Sequence, residues 1–180
     1  MSSRPSGSFG GTSPTSEVVM NRIDDRLVHG QVMIGWLGLR GANTIWIVDD
    51  VVANTPMMLD IFRFAAPAGI KMEAMTVDAA AARLSNLSGG SDKIIMIAKV
   101  PRTFTRLLEL GYKPADINYG AMAHKPQSRN VTQNCDLSPE EIDDTEKLYG
   151  QGIRIWIQLV PFGGYKALDW SSARQKLGLR

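Results

Sequence analysis

Residues Arg22-Ile23-Asp24-Asp25-Arg26-Leu27-Val28-His29-Gly30-Gln31 put a histidine, two arginines and two carboxylates within ten positions. A neutral imidazole near pH 7 can take a phosphoryl group onto a ring nitrogen, and the dianionic product calls for amide hydrogens and a fixed guanidinium around it. Arg26, three residues before His29, supplies that guanidinium. Arg22 is a second cation for phosphate or a partner, and Asp24 or Asp25 orients the imidazole or anchors Arg26. Phosphoryl transfer rests on positioning and charge stabilisation more than on covalent help, so one histidine and one arginine in a rigid loop suffice. The run from Gly30 to Gly38 has apolar spacing that suits a helix, with Gly35 and Gly38 letting it lie close to a sheet. His29 then stands at a helix N-terminus, and Gly30 and Gln31 open the turn whose amides attract an anion. The plain alternative is a capping histidine in a solvated loop of paired charges.

Other groups have simpler readings. Asp49-Asp50 has the look of a magnesium-binding acidic pair, but no third acidic ligand or matching lysine goes with it, so loop hydrogen bonding or N-capping is expected and no metal is assigned. His124 sits in a polar loop with Lys125 and Arg129 and is expected to be exposed. Met57, Met58, Met72, Met75 and Met96 read as core filler, as do Trp36, Trp46 and Trp156, with Trp170 anchoring the last helix. Cys135 is the single cysteine, unable to close an intramolecular disulfide or build a thiolate metal site. Neither G-x-x-x-x-G-K-[ST] nor a G-x-G-x-x-G after the first strand occurs, so no nucleotide or other cofactor is assigned.

Short β-rich runs occur at residues 17–23, 44–48, 70–76, 93–100, 116–119 and 153–160. Helical patterns lie between them. Thr55-Pro56 caps and opens MMLDIFRFAA, 78–87 is alanine-rich, Pro101 opens a helix that Gly111 closes, and Ser138-Pro139-Glu140-Glu141 opens one that runs out at Gly150. Trp170 to Leu177 follows Asp169 as N-cap. Strand and helix in alternation give an α/β fold: one open, mainly parallel sheet with helices on both faces. Ligands of such a sheet bind beyond the carboxyl ends of the strands, where the Asp24–His29 loop falls.

One domain accounts for 180 residues, of which 44 % are hydrophobic and 21 % charged. Residues 1–16 are almost all Ser, Gly, Pro and Thr and are expected to be a disordered tail, leaving 17–180 as the domain. Twenty Lys and Arg against 18 Asp and Glu give +2, which argues against a nucleic-acid partner. No apolar run is long enough for membrane insertion, and the cysteine usage fits the cytoplasm.

The run R-I-D-D-R-L-V-H-G-Q-V at 22–32 resembles the active-site segment of the IIB subunit of the mannose/fructose/sorbose family of the bacterial phosphoenolpyruvate-dependent sugar phosphotransferase system. Ile47-Val48-Asp49-Asp50, Ile117-Asn118-Tyr119-Gly120-Ala121-Met122 and Leu159-Val160-Pro161 agree with it, and the resemblance covers essentially 17–179. It implies a phosphotransferase component in which His29 takes a phosphoryl group from a IIA subunit and passes it to a sugar held by the membrane IIC/IID complex. Arg26 matches the arginine associated with the onward transfer. The implied placement is cytoplasmic, held at the inner face of the membrane through IIC/IID. Ala121 stands where the family usually has a second glycine, and Gly163-Gly164-Tyr165 replaces a commoner polar segment.

A recognition face for such a carrier is expected in the loops after Asp49, Lys99, Tyr119 and Val160, with Arg102, Lys125 and Arg129 meeting an acidic rim on IIA or a phosphorylated donor. A regulatory or binding module of the same fold with a retired His29 is the alternative, and a small-molecule phosphate-binding enzyme is a third reading. Retention of Arg22, Asp24, Asp25, Arg26 and His29 together favours the carrier.

Overall fold

The computed structural model describes residues 15–179, apart from the side chains of Gln31 and Val32. The expected tail therefore lies outside the described residues as far as Pro14. Ser16 is tied in place: its hydroxyl donates to the Gly89 carbonyl at 2.9 Å and accepts from the Asp92 amide at 3.2 Å.

The chain runs β1 (Glu17–Ile23), α1 (Gly30–Arg40), β2 (Thr44–Val48), α2 (Asp50–Ala53), α3 (Pro56–Ala65), β3 (Lys71–Met75), α4 (Val77–Ser85), β4 (Lys93–Ala98) and α5 (Pro101–Glu109). It continues through β5 (Asp116–Tyr119), β6 (Arg129–Thr132), β7 (Cys135–Leu137), α6 (Pro139–Gly150), β8 (Arg154–Ile157), β9 (Leu168–Asp169) and α7 (Trp170–Leu177). Seven strands form one sheet in the order β3-β2-β4-β1-β5-β8-β9, parallel except for the antiparallel edge strand β9.

Both faces of this sheet are covered, which is why its strands are apolar nearly throughout. On β4, Ile94, Met96 and Ala98 point into one core and Ile95 and Ile97 into the other, as the two-residue period of a strand requires. Helices α1–α3 cover the face that holds Ile95, while α4–α7 cover the opposite one.

The expected α/β architecture is present, with differences at the ends and edges. Helix α1 runs past Gly38 and stops at Gly41, whose φ of 60° closes the last turn. Gly38 has open space where a Cβ would stand, and Gly35 faces Pro161 and Phe162 rather than the sheet, so close packing on the sheet explains neither glycine. Thr76 caps α4 through the Ala79 amide, whereas Thr55 and Asp169 make no capping bond with their side chains. Ser138 and Glu141 form a reciprocal capping box on α6. Met57 is exposed, in contrast to its expected core role.

Candidate functional site

Two carboxyl-end strand neighbours staple the loop after β1. The Asp24 amide donates to the Ala98 carbonyl beyond β4, and the Asp25 amide to Ala121 beyond β5, both at 3.0 Å. Leu27 then turns back with a φ of 56°, a left-handed conformation that costs a side-chain-bearing residue about 1–2 kcal/mol. Its side chain, buried with Val28 in the core under α1, holds it there.

Asp24 is the hub of the loop. Its Oδ2 accepts from Arg22 Nη2 at 2.7 Å, Ala121 N at 3.2 Å and Arg26 Nη2 at 3.3 Å. Its Oδ1 accepts from the Arg26 backbone amide at 3.2 Å and Arg26 Nε at 3.1 Å. One edge of the Arg26 guanidinium is thus clamped, while Nη1 carries no hydrogen bond among the described residues. That side chain is 35 % exposed, so a fixed cation with a free N–H edge faces outward.

Arg22 corrects an expectation. It is completely buried, with Nη2 bonded to Asp24 and to the Leu159 carbonyl at 3.0 Å and Nη1 bonded to Asn118 Oδ1. Burial pulls its pKa below the usual arginine value, while the Asp24 charge and hydrogen bond push the other way. A guanidinium so enclosed cannot meet an incoming phosphoryl group; it neutralises and positions Asp24. Gly120 completes this core, because a Cβ there would collide with the Arg22 guanidinium and the Asp24 carboxylate. Trp36 of α1 donates from Nε1 to the Leu159 carbonyl at 3.1 Å and sits 5.7 Å from the Arg22 guanidinium carbon. Asn118, Gly120 and Trp36 escaped the candidate set; the signal for the first two was an Asn within a short strand that ends directly at a glycine.

His29 is exposed at the N-cap of α1, in extended backbone, and its side chain makes no capping bond. Its carbonyl accepts the first helical bond, from Met33 at 3.2 Å, which leaves the amides of Gly30, Gln31 and Val32 without a helical acceptor. The Gln31 side chain lies outside the described residues. Neither aspartate orients the imidazole: Asp24 serves the two arginines, and Asp25 accepts from the Ala123 amide, pinning the 120–124 segment beside the loop.

An open cleft of about 420 Å³ adjoins Arg26 and Asp25, walled by the β6–β7 hairpin with His124, Asn130, Gln133 and Asp136. His124 Nδ1 lies 2.8 Å from Asp136 Oδ2. Hydrogen bonds from Asn130, then His124, hold the Asp136 carboxyl below the usual carboxylate range. Burial pushes the Cys135 thiol well above its ordinary value, leaving it an inert core residue.

The three expected docking cations do not form one patch. Arg102 pairs with Asp144 at 3.3 Å and Lys125 with Glu141, both along α6, while Arg129 donates to the Leu177 carbonyl at the end of α7. Asp49 caps α2, accepting from Val51 and Val52, and Asp50 accepts from Arg106 at 2.7 Å and from the Val77 amide at 3.0 Å. Both acids thus have structural partners, and among the described residues no group of three His, Cys, Asp or Glu is placed to hold a metal.

Comparison with known proteins points in one direction. Residues 18–175 match the family model described as "PTS system sorbose subfamily IIB component". The chain is 30 % identical over 154 residues to N-acetylgalactosamine-specific phosphotransferase enzyme IIB component 1 of Escherichia coli (strain K12), covering 83 % of this chain and 94 % of that protein. It is 28 % identical over 144 residues to the PTS system sorbose-specific EIIB component of Klebsiella pneumoniae, covering 80 % and 88 %. The crystal structure of manxB from Thermoanaerobacter tengcongensis superposes with a TM-score of 0.83 at 30 % identity, covering 91 % of this chain and 98 % of that one.

Proposed function

The chain belongs to the sorbose subfamily of IIB components of the phosphotransferase system, and on that premise we propose that His29 is the residue that carries the phosphoryl group, taking it from a IIA subunit and giving it to a sugar. In the first step the P–N bond to the donor histidine breaks and a new P–N bond forms to a ring nitrogen of His29. The exposed imidazole needs no rearrangement to meet the donor. The amides that open α1 and the free Nη1 edge of Arg26 stabilise the dianionic product, and both favour the charge that builds on the equatorial oxygens during transfer.

In the second step a sugar hydroxyl oxygen attacks the phosphorus and the P–N bond to His29 breaks, with Arg26 holding the phosphoryl oxygens and the departing imidazole nitrogen taking up the proton that the hydroxyl gives up. The relatives named for N-acetylgalactosamine and sorbose support a sugar as final acceptor. The acceptor reaches the site within a membrane IIC/IID complex, on which this subunit docks from the cytoplasm. No helix among the described residues is long and apolar enough to cross a membrane.

The observation that carries this reading is the clamp of Asp24 on one edge of Arg26, which fixes a partly exposed guanidinium in the same loop that ends in an exposed His29 whose side chain makes no capping bond. Incubation with phosphoenolpyruvate, the general phosphotransferase proteins and a matching IIA subunit should add one acid-labile, base-stable phosphoryl group, mapped by mass spectrometry to His29. A label on His124, or none with a competent donor, would overturn it.

A further inference from the structure

Among the described residues, every large exposed apolar side chain but Leu110 lies on α1–α3 or in the loop after β8. The stripe is densest on α3, where Met57, Ile61 and Phe64 are 74 %, 61 % and 92 % exposed. Their spacing puts them on one helix face, while Met58, Leu59 and Phe62 pack the other face into the core. A surface helix ordinarily turns a polar face to water; one that is apolar on both sides has a second surface to bury.

The place of the stripe selects what covers it. A phosphoryl-transfer partner must surround His29 at the carboxyl edge of the sheet. Strands β2 and β3 are parallel, so α3, which connects them, runs back from that edge. Phe64, the most exposed of the three, lies eight residues beyond Pro56, about 12 Å down the helix at 1.5 Å per residue and away from the site.

The stripe is instead complementary to itself. Laid antiparallel across a two-fold axis between Asp60 and Ile61, Met57 of one copy meets Phe64 of the other, and Asp60 approaches Arg63 across the axis. Within one copy these two charges already pair at 3.1 Å, so the axis brings them into an alternating rim of four. The parallel arrangement would set like charges and like helix ends together.

We propose that α3 is the seam of a symmetric homodimer of this chain that leaves both His29 sites uncovered. The three side chains expose on the order of 400 Å², against roughly 800 Å² per partner in a standard interface, so the dimer is a weak, reversible one. Sedimentation equilibrium from micromolar to near-millimolar concentration should show the mass rising from 19.7 kDa toward twice that value. Phe64→Glu and Ile61→Lys should each hold it at the monomer mass with an unchanged circular dichroism spectrum, and Phe64→Ser serves where a charge disturbs the fold. Asp60→Arg should weaken the dimer, and Asp60→Arg with Arg63→Asp should restore it. A wild-type chain monomeric throughout, or a dimer indifferent to these substitutions, overturns the proposal. So does a monomeric wild type whose transfer to sugar is lost in Phe64→Glu, since the stripe would then face the membrane complex.

Discussion

At the scale of single residues, one carboxylate organises the site. Asp24 serves a buried arginine on one side and an outward one on the other, so only one of its two partners is left accessible to a ligand. The sequence places both arginines in one short run, but only burial separates their roles, and burial depends on Asn118, Gly120 and Trp36, which arrive from β5, the loop after it and α1. Arg26→Lys keeps the charge but loses the planar fork that Asp24 clamps while Nη1 stays free. If about 3 kcal/mol of transition-state contact goes with it, transfer to sugar slows roughly a hundredfold. Circular dichroism should be unchanged; wild-type turnover in the variant, with IIC/IID supplied, would remove Arg26 from the chemistry. Gly120→Ala acts on the other arginine. Its methyl group must part Arg22 from Asp24, and breaking a buried pair costs about 3–5 kcal/mol, which urea unfolding will register. A change within about 0.5 kcal/mol would mean that the loop relaxes without loss.

At the scale of elements, what was legible followed from periodicity and what was not followed from brevity. Strands β2 and β4 are nearly continuous apolar runs and announce themselves, and β1 shows through the apolar residues around its Asn21 and Arg22. Strand β9 has two residues, α2 has four, and the β6–β7 hairpin turns through Thr132-Gln133-Asn134-Cys135 without glycine or proline, so none carries a pattern long enough to see. The hairpin nevertheless walls the cleft beside Arg26. Short elements of this kind are held by polar ties, and two of those ties titrate. The Arg106 hydrogen bond, then the Val77 amide, hold the Asp50 carboxyl below its usual range, and Asn130 and His124 do the same for Asp136. A carboxyl depressed in the folded state stabilises it above the ordinary carboxylate range and loses that contribution as the pH falls through its folded pKa. Asp50→Asn should therefore lower the urea midpoint at pH 7 by a small amount, since the pair is largely exposed, and the gap to wild type should close toward pH 3. A gap of constant size across that range would show that the ionised pair contributes nothing.

At the scale of the whole molecule, the sheet sorts its surroundings. Its carboxyl edge gathers His29, Arg26 and the cleft, one face carries helices α1–α3 with their exposed apolar side chains, and the other carries α4–α7. A net charge of only +2 leaves recognition to local features of the site. A carrier of this kind does more than accept a phosphoryl group: it must give the group up to an acceptor. The most direct measurement is a chase. The chain is labelled on His29 through IIA, purified, and mixed with membranes that contain a matching IIC/IID complex, with and without sugar. Label should leave His29 and appear as sugar phosphate in equal amounts, only when sugar is present, and far more slowly in Arg26→Lys. Label that remains on His29 while the same membranes accept it from another IIB component would contradict the carrier role.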